Sequence, residues 1–218
     1  RDLHSFPTRR SSDLNRTIEL LKDYLIPGTD TPDIPSGKDF TFTTAVDGIT
    51  EGSLSYVPKT ADDENPRAQI SRDQGNTSSF FTVKNGGDKT ALTIENLTFD
   101  GKQMGSGDGG VINAATCTVT VSNCEFKNFE ASNGGAIFVG KSGGDPCTLY
   151  VTHSFFDHCT SQGKERQGGG AIWTTAQYFE LNDCAFTNCT AYDQGGAVFH
   201  RIDSTYSYET ESSTIVRN

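Results

Sequence analysis

From Val119 to Phe199 one short pattern recurs three times, as TVSNCEFKNFEASNGGAIFVG, YVTHSFFDHCTSQGKERQGGGAIWTT and ELNDCAFTNCTAYDQGGAVF, and a fainter copy, TIENLTFDGKQMGSGDGGVINAA, precedes it. Aligned on Phe99, Phe126, Phe156 and Phe186, the copies are 27, 30 and 30 residues apart. The Gly-Gly pairs beginning at Gly109, Gly134, Gly169 and Gly195 are 25, 35 and 26 apart, so the insertions fall in one loop. A copy this short, built of alternating strands and glycine corners with no helical segment, cannot bury its apolar face alone. Its copies must stack, and the expected fold is all-β, a parallel β-helix with coils of about 27–30 residues.

The alternation assigns each residue a direction. In one coil Val119 and Val121 point inward, Ser122 and Asn123 make a bend, Cys124 and Phe126 point inward again, and Ile137 supplies a third wall after the Gly134-Gly135 corner. Stacking then predicts columns of Leu92, Val119, Leu149 and Phe179, of Ile94, Val121, Val151 and Leu181, and of the four phenylalanines. Each inward leucine or phenylalanine is worth roughly 1.5–3 kcal/mol. The corner glycines fit a backbone with φ > 0. A β-sandwich would not require GGA[IV] to repeat in register.

Residues 1–14, RDLHSFPTRRSSDL, resemble the translation of a short-read sequencing adapter and are set aside as no part of the fold. They hold three of the 18 basic and two of the 28 acidic residues, which leaves 15 against 26 and a net charge of −11. An acidic surface repels phosphate, so nucleic acid is excluded as a partner, and an anionic membrane face is not indicated. At the other end Ser213–Asn218 is expected to enter the next CxF strand and stop at its bend, as in an internal piece of a longer protein.

Residues 15–91 are expected to form irregular N-terminal coils with a long lateral loop, and 92–218 the regular repeats. Thr17–Leu21 and Phe40–Thr44 read as strands, with a turn at 34–39 between them. Most of Ser53–Ser79 reads as the lateral loop. The acids Asp62, Asp63 and Glu64 fit no calcium-loop spacing and read as solvated, so no metal and no cofactor is expected.

The GGAI and GGAV tetrads at Gly134, Gly169 and Gly195, each after a strand of CEF, SFF or CAF type, resemble the GGA[ILV] and FxxN repeats of the polymorphic outer membrane proteins. They also resemble related right-handed β-helix surface proteins of bacteria and some anaerobic protists. The FxxN signature departs from the family pattern, with Phe129, Cys159 and Cys189 at the asparagine position. The resemblance implies a right-handed single-stranded parallel β-helix, extracellular, at the cell surface or outer membrane, serving adhesion or display rather than catalysis. Its implied partners are host or neighbouring-cell surface glycans or proteins, with no membrane insertion by this segment.

Polysaccharide lyases and glycosidases also use parallel β-helices, so the polar columns are candidates for chemistry. Asn96, Asn123, His153 and Asp183 align, placing His153 beside Asp183 as an alternative catalytic pair. The plainer reading is a polar ladder at a left-handed bend, with no Arg or Lys beside it. Asn128, His158 and Asn188 form a second such column. Phe138, Trp173 and Phe199 follow the GGA[IV] tetrads and point outward, a candidate aromatic surface for sugars or a partner. The insertion Ser161–Gln167 carries Lys164, Glu165 and Arg166. Finally, Cys117 and Cys147 share one column on adjacent coils, as do Cys159 and Cys189. Disulfides accept Cα separations of about 4.4–6.8 Å, and paired strands lie about 4.8 Å apart, so these four are disulfide candidates. Cys124 and Cys184 are separated by Ser154 and are expected to stay free.

Overall fold

The computed structural model of the chain describes residues 16–20, 24–26, 33–44, 67–73, 75–84, 90–102, 105, 107–140, 146–164, 167–202 and 213–217. The adapter-like stretch 1–14, the acids at 62–64, and Glu165 and Arg166 lie outside them. Among the described residues all regular structure is strand, and every pairing is parallel.

The strands form three sheets. The first runs Arg16–Leu20, Asp39–Thr44, Ala91–Glu95, Thr118–Ser122, Thr148–Thr152, Tyr178–Asn182 and Ser213–Arg217. The second runs Tyr24–Ile26, Ala68–Arg72, Leu97–Asp100, Glu125–Ala131, Phe155–Ser161 and Ala185–Thr187, with Thr190–Ala191 also on Phe155–Ser161. The third runs Phe81–Val83, Ile112–Ala115, Ile137–Gly140, Ile172–Thr174 and Val198–His200. Each copy of the repeat visits the three sheets in turn and hydrogen-bonds to the copies before and after it, as a parallel β-solenoid requires.

The expected columns are the observed register. Leu92, Val119, Leu149 and Phe179 pair in line, as do Ile94, Val121, Val151 and Leu181. The phenylalanine column Phe99, Phe126, Phe156 and Phe186 is a stack with ring centroids 5.2, 4.7 and 4.8 Å apart and planes within 13°.

Besides the corner glycines, two columns of left-handed residues shape the cross-section. Asn96, Asn123, His153 and Asp183, at φ of 55°, 51°, 48° and 54°, turn the chain from the first sheet to the second. Asn128, His158 and Asn188, at 60°, 50° and 52°, interrupt the pairing of the second sheet at the same position in each coil, with the register unchanged on either side. The interruption resets the alternation. Phe126 and Phe129, three residues apart, therefore both face the core, as do Phe156 and Cys159.

At the corners the two glycines serve different needs. Gly109, Gly134, Gly169 and Gly195 have φ of 61°, 53°, 64° and 61°, a region costly for other residues. The following glycine has no positive φ, and at Gly110, Gly135 and Gly170 it has no room: a Cβ on Gly135 would sit 2.2 Å from the Gly170 carbonyl oxygen.

Two sequence expectations are corrected here. Ala68–Arg72, inside the stretch read as lateral loop, is a strand whose Ile70 is fully buried opposite Phe99. Ser213–Arg217 pairs with Tyr178–Asn182 in the first sheet, not with the CxF strands of the second, so Ile215 stands opposite Glu180 and takes no place in the phenylalanine column.

Burial extends to one cation. Arg72 is fully buried, with its guanidinium 5.1 Å from the Phe80 ring centroid and 5.7 Å from that of Phe129. It donates to the Gly110 carbonyl at 2.7 Å, and burial lowers its pKa to about 10. It stays protonated at neutral pH.

Candidate functional site

The bend between the first and second sheets lines up its left-handed residues in a ladder along the solenoid, buried at Asn123 and open at His153 and Asp183. Asn96 Nδ2 donates to Thr43 Oγ1 at 3.2 Å, and Asn123 Nδ2 donates to Asn96 Oδ1 at 2.7 Å. Farther along, His153 Nε2 lies 3.4 Å from Asp183 Oδ2, their side chains 46% and 62% exposed. The structure thus brings His153 and Asp183 together as the alignment predicts. It also supplies what the sequence reading excluded: Arg67 Nη2 donates to Asn123 Oδ1 at 2.6 Å. Arg67 precedes Asn123 by 56 residues and comes from the non-repeating region, so no repeat spacing signals it. Chemically the column offers one carboxylate, one imidazole and one guanidinium, whereas glycoside hydrolysis needs two carboxylates across the scissile bond.

The Asn128–His158–Asn188 column is built around a residue that repeat alignment missed. Asp157 accepts from Thr187 Oγ1 at 2.7 Å, from Asn188 Nδ2 at 2.9 Å and from His158 Nδ1 at 2.8 Å. Partial desolvation pushes the Asp157 carboxyl up. The bonds from Thr187, Asn188 and His158, with the His158 charge, outweigh it and hold the group below its ordinary 3.8. Asn128 Nδ2 donates likewise to Asp100 Oδ1 at 3.1 Å. In register Lys127 stands between Asp100 and Asp157, so the outer row alternates acid, base, acid. The signal for Asp157 was available: it is the outward neighbour of Phe156, in column with Asp100.

Phe138, Trp173 and Phe199 form the outward column expected, paired in register on the third sheet. Their centroids are 4.5 and 6.1 Å apart and their planes within 7° and 20° of parallel. Trp173, the middle ring, therefore has a neighbour over each face, and its indole Nε1 is buried without a hydrogen-bond partner. In the insertion, Lys164 Nζ lies 5.3 Å from the ring centroid of Tyr192, which is 70% exposed.

The six cysteines are thiols in the structure. Cys117 and Cys147 lie on adjacent coils, where Thr148 N bonds Cys117 O at 3.0 Å and Gln177 N bonds Cys147 O at 2.9 Å. Both are sealed in the core, and burial, followed by the neighbouring Cys147, pushes Cys117 up to about 12. Cys159 is fully buried and Cys189 is partly open above it. Between Cys124 and Cys184 stands Ser154, whose Oγ accepts from Cys124 N at 3.2 Å.

No protein-family model matches the chain, and no curated protein matches it in sequence. Among the described residues no three or more of His, Cys, Asp and Glu cluster as a metal site would need, and no helix is long and apolar enough to cross a membrane.

Proposed function

We propose that this chain belongs to a secreted or cell-surface passenger protein whose coils form a right-handed single-stranded parallel β-helix and whose rigid repeat scaffold serves adhesion or surface display. Right-handedness follows from the general preference of parallel crossover connections. The observation that carries the functional reading is the direction in which the polar and aromatic side chains outside the apolar core are satisfied. They bond and stack along the solenoid, coil to coil, in the Asn96–Asn123 ladder, the Asp157 cluster and the Phe138–Trp173–Phe199 column. Such ladders make a long uniform face suited to repeated weak contacts with a glycan or protein surface. The GGA[IV] resemblance supports the same reading, with partners at host or neighbouring-cell surfaces, no cofactor, and an extracellular, cell-surface or outer-membrane location.

A second reading, a polysaccharide-cleaving enzyme, is favoured by one observation: Arg67 joins the column that holds His153 and Asp183. One experiment separates the two. The purified chain is applied to a glycan array and to intact cells, and in parallel to a panel of pectins and glucans. Saturable surface binding with no release of sugar ends is the expected result. Release of unsaturated or reducing ends, abolished by H153A or D183A, would establish the enzyme instead.

A further inference from the structure

The two cysteine columns are equivalent in sequence and unlike in setting. Cys159 and Cys189 each follow the column phenylalanine by three residues, and the left-handed residue before each, His158 or Asn188, turns it inward. The strands that carry them pair in register on both sides, Phe156 with Phe186 and Thr160 with Thr190. Strands so paired lie about 4.8 Å apart, inside the separation of about 4.4–6.8 Å that a disulfide spans. Both thiols lean toward the preceding coil, Cys189 Sγ donating to Phe156 O at 3.7 Å and Cys159 Sγ to Phe126 O at 3.8 Å. Cys189 is half-open to solvent where Cys117, Cys124, Cys147 and Cys159 are closed.

We propose that Cys189 is a reactive thiol which, with Cys159 as its resolving partner, exchanges with small-molecule dialkyl disulfides and staples the fourth coil to the third. In the first step the Cys189 thiolate attacks one sulfur of the small disulfide. The S–S bond breaks, one thiolate leaves, and a mixed disulfide forms on Cys189. In the second, Cys159 loses its proton to solvent and attacks Cys189 Sγ, which releases the second small thiolate. The cysteine pair loses two electrons and the small disulfide is reduced to two thiols.

The electrostatics agree with this order of events. The neighbouring Cys159 lowers Cys189 against a smaller opposing effect of burial, and nearby His158 helps where Asp157 opposes. Burial first, and then Cys189, hold Cys159 well above the usual thiol range, which makes it the later nucleophile. Cys124 and Cys184, raised by burial to about 12 and about 11, have Ser154 between them and no partner in reach.

The test exposes the folded chain, residues 1–218, to bis(2-hydroxyethyl) disulfide, quenches with acid and maps the peptides by mass spectrometry. The expected product lacks two hydrogens, carries a Cys159–Cys189 link and keeps the other four thiols. C159S should stop at a 2-hydroxyethanethiol adduct on Cys189, and C189S should leave Cys159 unreacted. The link should also slow proteolysis within 178–200. An unreactive Cys189, a Cys117–Cys147 link formed first, or a stable adduct on wild-type Cys189 would each overturn the proposal. The wild-type result decides even if a variant folds poorly.

Discussion

The third and fourth copies of the repeat fill the same columns, yet their cores differ. Phe156 and Phe186 stack at 4.8 Å, but Phe156 is fully buried and Phe186 only partly. The pairs Cys159 and Cys189, and Ile172 and Val198, divide in the same way. Within the fourth copy itself the contrast recurs. Ser213–Arg217 covers Tyr178–Asn182, and there Phe179 and Leu181 are 2% and 7% exposed. Among the described residues no strand covers the outer edges of Ala185–Thr187 or Val198–His200, and there the inward side chains are partly open. Burial in this fold is thus a property of the stack: a residue of the right type in the right column is buried only when coils lie on both sides of it.

The largest expected effect tests that statement directly. Phe126→Ala, between two stacked rings, should lower stability by about 3–5 kcal/mol. Phe186→Ala, with one ring beneath it, should cost less than about half as much. Urea unfolding of both variants checks the ratio, and equal losses would break the comparison.

The corner glycines sharpen it. A Cβ on Gly135 would meet Gly170 O at 2.2 Å, while the same atom on Gly196 would meet nothing closer than Cys189 O at 4.0 Å. Gly135→Ala should therefore cost about 1–3 kcal/mol through overpacking, and Gly196→Ala should stay within about 0.5 kcal/mol of wild type. Equal effects would mean that the glycines answer only to backbone conformation.

How much of this was legible in the sequence follows from repetition. The columns, the bends at Asn123 and His153 and the corners at Gly134 and Gly169 recur, so each copy checks the others. Ala68–Arg72 has no counterpart motif: five residues between polar stretches carry no period, and their strand exists because Phe99 offers Ile70 a partner. Arg67 was hidden for the same reason, since a residue used once leaves no column. Ser213–Arg217 misled because STIVRN has the CxF spacing, whereas its apolar alternation fits the strand before the bend equally well. Among the candidate residues, alignment placed His153, Asp183 and the aromatic column in register. The geometry that limits their use, such as stacking that covers both faces of Trp173, depends on side-chain torsions that a pattern does not carry.

The smallest effect concerns Asp157, which ties the third copy to the fourth. Its folded pKa lies below its unfolded value, so its bonds to Thr187 and Asn188 stabilise the fold above the unfolded value near 3.8 and are lost as pH falls through the folded one. D157N should leave a shallower acid limb in a plot of melting temperature against pH, with little change near neutrality. An unchanged acid limb would show that the cluster does not tie the copies together.

The most direct test of coil-on-coil stacking is a pair of double-mutant cycles on the phenylalanine column. Phe126 and Phe156 stack at 4.7 Å, whereas Phe186 is separated from Phe126 by the Phe156 ring. Leucine substitutions should show coupling of about 0.5–1.5 kcal/mol between Phe126 and Phe156. Between Phe126 and Phe186 they should add within about 0.5 kcal/mol. Additivity in the first cycle, or equal coupling in both, would contradict the stacked register.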